Sequence, residues 1–245
     1  MRIALLSDIH GNLAALEAVA ADLKKRGVDQ IVNLGDLVSG PLLPLETAQY
    51  LMAEGWLTIA GNHERQLLTL GPGERGASDE YAMSCLTRDA LAWFRTFPPT
   101  ARLDSEVLLC HGTPESDNEY FLETVEGRGA RLANLREIET RLGPEAYPVV
   151  ACGHTHVPRS VRNARGQLIV NPGSVGLPAF FHDHPTMHAV QNGSPDARYA
   201  ILERGTSGWT VELLTVPYDH RSMAALAKER DRPDWELALL TGYVE

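Results

Sequence analysis

Five short polar motifs in this 245-residue chain each follow a run of apolar residues. Together they carry two Asp, one Asn and five His. Carboxylates, amide oxygens and imidazoles are ligands that divalent cations bind in proteins, so the set predicts a metal site. The motifs are Asp8-x-His10, Gly35-Asp36, Gly61-Asn62-His63-Glu64, His111-Gly112 and Gly153-His154-Thr155-His156.

The number of ligands favours two cations over one. A structural zinc site takes about four ligands, mostly Cys or His. This chain offers seven or eight nitrogen and oxygen ligands and no suitable Cys. Asp36 is the candidate for a carboxylate that bridges two cations with its two oxygens. Two cations roughly 3.5–4 Å apart stabilise the attacking and leaving oxygens of a displacement at phosphorus and make hydroxide available near neutral pH.

Each motif alone also has a structural explanation. A single Asp after a strand is usually a turn former or a cap. A single His is more often a hydrogen-bonded structural residue than a ligand. The stretch from Gly61 to Arg65 fits a turn that caps a helix, in which Glu64 orients the site rather than binding metal. The occurrence of all five motifs in one chain favours a catalytic metal site over five unrelated structural roles.

The elements that must position these motifs can be predicted from the apolar pattern. One helix is expected over 13–26, with Asn12 as its N-cap and Gly27 at its end. Strands alternate with helices, which predicts an α/β fold whose strand ends form one ligand-binding rim. Strands are expected within 2–8, 30–36, 56–62, 107–112 and 148–154, and further helices within 45–54, 78–97 and 129–142.

The later part of the chain has a different pattern. The runs at 166–174, 197–204 and 209–218 predict strands joined by little except loops, and hence a second, more antiparallel sheet. A polar helix is expected over 220–240. No internal repeat, low-complexity tract or clean linker divides the chain, so we interpret 1–245 as a single domain.

Composition excludes several classes of function. Hydrophobic residues make up 44% and charged residues 22%, as in soluble globular proteins. The net charge of −10 and the lack of a Lys/Arg block argue against general nucleic-acid or membrane-surface binding. No apolar run approaches membrane-spanning length. Three scattered cysteines (Cys85, Cys110 and Cys152) fit small buried side chains in a reducing, cytoplasmic setting.

The ordered set of motifs resembles the calcineurin-like metallophosphoesterase superfamily over residues 3–176. "GHTHVP" followed by "NPGSVG" (171–176) is similar to the small bacterial and archaeal phosphodiesterase branch of that superfamily. The resemblance implies a four-layer αββα sandwich of two mixed β-sheets flanked by helices, with a dimetal site at the strand ends. It also implies a metal-dependent phosphoester hydrolase in which a hydroxide held between two metals attacks phosphorus.

The same resemblance implies a role for each motif residue. His63 would contact the phosphate and aid the leaving group as a general acid. Manganese or iron is the first expectation for the cations, and zinc, cobalt and nickel also suit such ligands. One metal would be held by Asp8, His10, Asp36 and His156, and the other by Asp36, Asn62, His111 and His154.

The expected substrate is a small phosphorylated molecule, with nucleotides among the candidates. The resemblance favours phosphodiesters; dinucleoside polyphosphates such as diadenosine tetraphosphate, and phosphorylated serine or threonine in proteins, are alternatives. The long loop 177–196 brings Phe180, which could stack on a base, and His182 and His184, which could meet phosphates. Its aromatic residues could equally pin the loop to the core. Arg65 and Arg159 could contact a phosphate, or could be structural.

Two other classes of function are weighed against the enzyme. A non-catalytic scaffold of the same fold should lack the catalytic His or several ligands, whereas every matched position is filled here. The stretch "GPGERG" (71–76) matches a dinucleotide-binding pattern, but it follows residues that predict a helix, so a surface loop is expected. The sequence defines no oligomeric state.

Overall fold

A computed structural model describes residues 1–244. The strands are β1 (Arg2–Leu6), β2 (Gln30–Asn33), β3 (Leu57–Thr58), β4 (Thr100–Leu103), β5 (Val107–Cys110), β6 (Glu123–Glu126), β7 (Gly129–Leu132), β8 (Val149–Ala151), β9 (Arg159–Arg162), β10 (Leu168–Asn171), β11 (Ala179–His182), β12 (His188–Gln191), β13 (Ala197–Gly205) and β14 (Gly208–Val216). The helices are α1 (Leu13–Arg26), α2 (Pro44–Glu54), α3 (Asn62–Thr69), α4 (Ala77–Cys85), α5 (Arg88–Phe94), α6 (Leu135–Leu142), α7 (His220–Glu229) and α8 (Pro233–Thr241).

Two five-stranded mixed sheets organise these elements. The first has the order β14-β13-β1-β2-β3, and the second has the order β4-β5-β8-β10-β9. The strands β1, β2 and β3 run parallel, as do β5, β8 and β10, while the outer strands pair antiparallel to them. Because the parallel strands in each sheet share one direction, their carboxyl ends lie along one edge of that sheet.

Alternation along β1 shows how the layers form. Ile3 and Leu5 face a core shared with strands of the second sheet, whereas Ala4 and Leu6 face the core beneath α1, α2, α4 and α5. Successive strand side chains point to opposite faces, so β1 is buried on both sides. On the far face of the second sheet, α6 packs over β5, β8 and β10. The order helix, sheet, sheet, helix confirms the predicted four-layer sandwich.

Helix α1 follows the residues predicted to define it. The Asn12 side chain accepts a hydrogen bond from the Ala15 amide at 3.1 Å, which satisfies one open donor of the first turn. Gly27 ends the helix with a φ of 66°, a conformation that glycine adopts without steric cost. The basic residues Lys24, Lys25 and Arg26 lie in the last turn, where they oppose the helix dipole.

Four predicted elements differ from the structure. The segment 129–142 holds β7 before α6, and 220–240 holds two helices, α7 and α8, because the turn at Arg230–Arg232 and Pro233 interrupt one helical run. The late strands β13 and β14 do not build a second sheet but extend the first one antiparallel to β1. The loop 177–196 contains a hairpin, β11–β12. Within residues 1–244, no helix combines the length and apolar character needed to cross a membrane.

Candidate metal centre

The seven predicted metal ligands meet at the strand ends. Those of the first sheet follow β1 and β2 or begin α3, and those of the second sheet follow β5 and β8. All seven are buried, and none of these residues is more than 5% exposed. The chain therefore brings both sheets' polar ends to one place. The seven are Asp8, His10, Asp36, Asn62, His111, His154 and His156.

The backbone at five of these residues is unusual. The φ angles are 56° at Asp8, 52° at His10, 58° at Asp36, 67° at His154 and 59° at His156. Residues other than glycine rarely adopt this left-handed region, and those that do cluster at functional sites. Asp8 and His10 thus lie after the end of β1, and left-handed turns rather than the alternation of an extended strand aim both side chains at the site.

The first ligand group joins Asp8, His10 and His156. Their ligand atoms lie within 4.8 Å of one another. His10 Nδ1 donates to the Ser39 carbonyl oxygen and His156 Nδ1 donates to the Leu177 carbonyl oxygen, each at 2.7 Å. A carbonyl can only accept, so each neutral ring carries its hydrogen on Nδ1 and a lone pair on Nε2.

The second group joins Asp36, His111 and His154, with ligand atoms again within 4.8 Å of one another. His111 Nδ1 donates to the Leu34 carbonyl oxygen at 2.7 Å. Its Nε2 lies 3.0 Å from an Asp36 oxygen and 3.1 Å from the Asn62 side-chain oxygen. Asn62 thus joins the second group.

These contacts fit divalent cations. The Nε2 atoms of His10 and His156 are 3.1 Å apart, and with each Nδ1 donating to a carbonyl, the neutral form of neither ring has a hydrogen to place between them. His154 Nε2 is buried without a hydrogen-bond partner among the described residues. Converging acceptors at such distances need a positive charge between them, and imidazole, carboxylate and amide groups are suitable ligands. The donor set therefore matches the predicted cofactor.

The pKa values of three histidines in the two groups also fit bound cations. Burial, followed by neighbouring imidazoles, lowers the pKa of His10 to about 4 and that of His154 to about 3, which keeps both rings neutral and free to ligate. Burial would also lower the pKa of His111, but the carboxylates of Asp36 and Asp8 outweigh it and raise that pKa to about 10. The same two carboxylates that hold a proton at His111 are the ones that would hold a cation.

His63 lies beside the two groups without belonging to either. Its ring centroid is 5.4 Å from that of His10, and its backbone amide donates to an Asp36 oxygen at 3.0 Å. Its Nδ1 bonds Oδ1 of Asp79 at 2.9 Å. Burial opposes protonation, but the carboxylates of Asp36 and Asp79 raise the pKa of His63 to about 9. Nε2 is thus left for a substrate, as expected of a proton donor.

Glu64 orients the site, as predicted from its position in the motif. Its buried carboxylate accepts backbone N–H bonds from Asp36, Leu37 and Gly61, all at 2.8 Å. These bonds tie the loop after β2, which carries Asp36, to the start of α3, which carries Asn62. The stretch that opens α3 is therefore both a helix-capping turn and part of the metal centre.

Glycines allow the two loops to approach closely. A Cβ atom on Gly61 would lie 2.2 Å from Oδ1 of Asp36, and one on Gly35 would lie 2.4 Å from the Gly61 nitrogen. Gly35 also has a φ of 101°, which other residues rarely adopt. Both glycines are required by the contact between the loops.

A cavity of about 230 Å³, here called the central cavity, opens onto both ligand groups. His63 lies on one wall, Phe180 and His182 of strand β11 on another, and Arg232 and Trp235 on a third. The Phe180 ring packs 4.5 Å from the ring of His156. The hairpin β11–β12 therefore covers the two ligand groups, and Phe180 also packs against an apolar cluster that includes α7 and α8.

The other predicted substrate contacts lie elsewhere. Arg65 forms a two-pronged ion pair with Asp117 at 2.6 and 3.0 Å. Arg159 pairs with the buried Glu123 at 2.6 Å. Neither arginine lines the central cavity, and His184 lines a separate cavity beside Tyr120 instead. Contact of these three residues with a substrate stays a prediction.

Sequence reasoning missed Asp79 and the residues that α8 contributes to the central cavity. Asp79 lies in the first turn of α4, where an acidic residue is ordinary and gives no signal. Arg232 and Trp235 come from a C-terminal pair of helices that carries no motif. What marks Asp79 is its burial: the residue is only 2% exposed, and carboxylates are rarely buried without a partner. That property is visible in the structure and not in the sequence.

The fold and the two ligand groups define a metallophosphoesterase-type centre. The sequence profile of the calcineurin-like phosphoesterase superfamily domain matches residues 1–193, and the chain belongs to that superfamily. This confirms the resemblance drawn from the motifs.

Known proteins resemble the whole chain. A metallophosphoesterase from Sphaerobacter thermophilus is 27% identical, with 98% of each chain covered and a TM-score of 0.74. The structure of hypothetical protein PH1004 from Pyrococcus horikoshii OT3 is 19% identical, covers 100% of this chain and 99% of its own, and has a TM-score of 0.75. Uncharacterized protein MJ0912 from Methanocaldococcus jannaschii is 23% identical over 267 residues, covering 95% of this chain and 94% of the relative. The elements after residue 193 thus belong to a shared architecture.

Proposed function

We propose that this chain is a metal-dependent phosphoester hydrolase that prefers phosphodiesters. The observation that carries the proposal is the convergence of buried imidazole, carboxylate and amide ligands into two adjacent groups. Family membership supports hydrolysis of a phosphoester bond, and the retained ligands and His63 argue against a non-catalytic scaffold.

The ligand assignment combines the two contact groups with the family resemblance, which adds Asp36 to the first group. Divalent cations held there supply Lewis acidity, which withdraws charge from a phosphoryl group and makes water more acidic. Manganese or iron is our first choice, and zinc, cobalt or nickel suit the same ligands. We assign one cation to Asp8, His10, Asp36 and His156, and the other to Asp36, Asn62, His111 and His154.

The protein's own groups then position and protonate the substrate. His63, held at Nδ1 by Asp79, turns Nε2 toward the central cavity, where it donates a proton to the departing oxygen. Phe180 and His182 cover the bound substrate from the hairpin, which limits access of bulk water. His182 lines the same cavity with its ring centroid 6.2 Å from that of His154, and we expect it to contact a phosphate oxygen of the substrate.

Dinucleoside polyphosphates are the second candidate substrates. The central cavity is bordered by the aromatic side chains of Phe180, Phe181 and Trp235. Phe181 is 41% exposed, so its ring is available to stack on a base. A nucleotide-carrying substrate is therefore favoured over a phosphorylated protein.

The decisive experiment is a substrate panel with added Mn²⁺. It should contain a phosphomonoester, bis(p-nitrophenyl) phosphate as a diester, and diadenosine tetraphosphate. We expect hydrolysis of the diester to exceed that of the monoester, and chelation to abolish it. Protein that binds Mn²⁺ yet hydrolyses no member of the panel would contradict the proposal.

The His63→Ala variant separates catalysis from metal binding. Since His63 belongs to neither ligand group, the variant should keep its bound metal and lose about 10²- to 10⁴-fold in kcat, the usual contribution of general acid catalysis. Wild-type kcat with intact metal content would remove His63 from the mechanism. His220 supplies a matched control, because its Nδ1 bonds the Leu239 carbonyl oxygen on α8 rather than the metal centre.

A further inference from the structure

The start of α8 forms a wall of the central cavity, and the pair α7–α8 is fixed in place by several contacts. Trp235 packs so closely on Gly40 that a Cβ there would lie 2.5 Å from the indole. Arg230 donates to the carbonyl oxygens of Pro41 and Leu42 and lies over the Tyr81 ring at 4.8 Å. Apolar side chains of both helices share a core with the hairpin strand β11. The wall is therefore a fixed part of the site.

Arg232, the residue just before α8, places its guanidinium group on this wall, where it lines the central cavity. Its Nε and one terminal nitrogen donate to Asp234 at 3.0 and 2.7 Å, and its other terminal nitrogen donates to Ser78 Oγ at 3.1 Å. Its Cζ lies 5.6 Å from the Trp235 ring, and that ring is 6.1 Å from the ring of His10. One indole thus separates the guanidinium from a metal ligand.

The fixed orientation leaves part of the guanidinium open. An arginine has five N–H donors, and the three contacts leave two without a partner among the described residues. Asp234 holds the plane of the group, because its two carboxylate oxygens accept from two nitrogens of the same guanidinium. A guanidinium oriented in advance loses less side-chain entropy when it binds an anion.

Arg232 is also distinctive in charge. Among the described residues that line the central cavity, it is the single side chain with a permanent positive charge. Its position lies beyond the matched superfamily domain, which ends at residue 193 and contains all seven assigned metal ligands. The assigned metal ligands and the Arg232 guanidinium are thus carried by different parts of the chain. This is expected when a catalytic centre shared by a superfamily is combined with a separate element that selects the substrate.

We propose that Arg232 selects phosphoester substrates that carry a second anionic group, a phosphate or a carboxylate, in addition to the phosphoryl group at the metal centre. Phosphate and carboxylate oxygens both accept from guanidinium N–H groups, and Asp234 and Ser78 leave one N–H open on each terminal nitrogen of Arg232. Trp235 and Phe180 cover the apolar part between the two anions. The inference rests on the proposed function, because it assigns the substrate class of that same site.

The kinetic test uses three esters that differ in one group. They are the p-nitrophenyl esters of thymidine 5′-phosphate with a free 3′-hydroxyl, a 3′-phosphate or a 3′-hemisuccinate. We expect wild type to prefer one or both doubly anionic esters, and Arg232→Gln to reduce that preference about 10- to 100-fold, the effect of losing a hydrogen bond to a charged group. Comparison of the phosphate and succinate esters identifies which anion is preferred.

Controls separate this inference from the proposed function. Arg232→Lys keeps the charge without the paired donors and should lie between wild type and Arg232→Gln. Arg221→Gln removes an exposed arginine of α7 and should leave the preference unchanged. If wild type hydrolyses all three esters and Arg232→Gln keeps the same preference, the selectivity inference is wrong while the proposed function stands. If wild type hydrolyses none of the three but does hydrolyse bis(p-nitrophenyl) phosphate, the selectivity inference is wrong while the proposed function stands. If it hydrolyses neither these esters nor any member of the earlier panel, both are wrong.

A binding measurement does not depend on activity. In chelator, calorimetry should show that wild type binds thymidine 3′,5′-bisphosphate about tenfold or more tightly than Arg232→Gln does. The difference for thymidine 5′-monophosphate should be smaller. Thermal unfolding of each variant confirms that α8 is folded. Equal affinities of the folded proteins for the bisphosphate would overturn the role of Arg232.

Discussion

The Nδ1 atom of His63 lies 2.9 Å from Oδ1 of Asp79, a carboxylate that is 2% exposed. Such a contact holds the hydrogen on Nδ1 and aims Nε2 away from α4. Because α4 begins after the loop that follows α3, the chain folds back to supply this partner. His63 therefore takes its position from Asp79 as well as from its own place at the start of α3.

Asp79→Asn should lower kcat by about 10- to 100-fold, because the amide can present an N–H to Nδ1 and favour the wrong tautomer. KM should change little, since Asp79 does not line the central cavity. The loss should be larger for an alkyl leaving group, which needs a proton, than for p-nitrophenolate. Steady-state kinetics with both leaving groups measures this difference.

The leaving-group dependence distinguishes positioning from a general loss of structure. Asp89→Asn is a matched control, since Asp89 is an exposed acidic residue in the first turn of α5. It should leave both rates unchanged. An equal loss for both leaving groups in Asp79→Asn would indicate damage to the whole site instead of an effect on proton donation.

Glu64→Gln should weaken both folding and metal binding. The carboxylate accepts three backbone N–H bonds, whereas the glutamine amide nitrogen would face a donor. Leaving a buried donor without its partner costs about 1–3 kcal/mol. Urea unfolding of the chelated protein should show that loss, and calorimetry should show weaker Mn²⁺ binding. The exposed Glu17 of α1 supplies the control substitution, and an unchanged unfolding free energy in Glu64→Gln would contradict the prediction.

Tyr199→Phe should destabilise the protein in a pH-dependent way. The Tyr199 hydroxyl on β13 donates to Asp22 on α1 at 2.5 Å, and this bond is the main cause that lowers the pKa of Asp22 below its ordinary value of 3.8. A lowered carboxyl pKa adds stability above the unfolded value, and that stability is lost as pH falls through the folded value. We expect a loss of about 1 kcal/mol at pH 7 that shrinks below about pH 4.

Urea unfolding of chelated protein at pH 7, 5, 4 and 3 measures the Tyr199→Phe effect. In an Asp22→Asn background the same substitution should cost less, because the charged acceptor is gone. A cost that is equal at pH 7 and pH 3 would assign the effect to packing of the tyrosine ring and not to its hydrogen bond.

Much of the metal centre was predictable because its ligands sit in short motifs after apolar runs. The strands themselves are predictable from local pattern, and the α/β alternation implies parallel strands whose carboxyl ends share one edge. Asp79 and Arg232 could not be found in this way. Each is an ordinary first-turn or capping residue whose role depends on tertiary packing against another element.

The fold shows the same division. Helix α1 was predictable from its cap, its apolar stripe and its glycine end, which are local signals. The pairing of β13 with β1 was not, because either sheet offers an edge to an apolar strand and the choice is made by long-range packing. The left-handed backbone at Asp8 and Asp36 was also missed, since residue type does not reveal strain imposed by neighbouring loops.

Each ligand group should bind one metal ion independently of the other group. We expect wild type to bind two Mn²⁺ per chain, and His10→Ala and His154→Ala each to bind one, because each substitution removes a ligand from one group. Asp36→Asn should weaken both sites, since Asp36 is the assigned bridge. Mn²⁺ at 100 times its Kd should raise the unfolding free energy by about 2.7 kcal/mol for each site. Elemental analysis and thermal unfolding of His184→Ala, which alters a histidine outside both groups, provide the reference. Loss of both ions in His10→Ala and in His154→Ala alike would show one shared site in place of two.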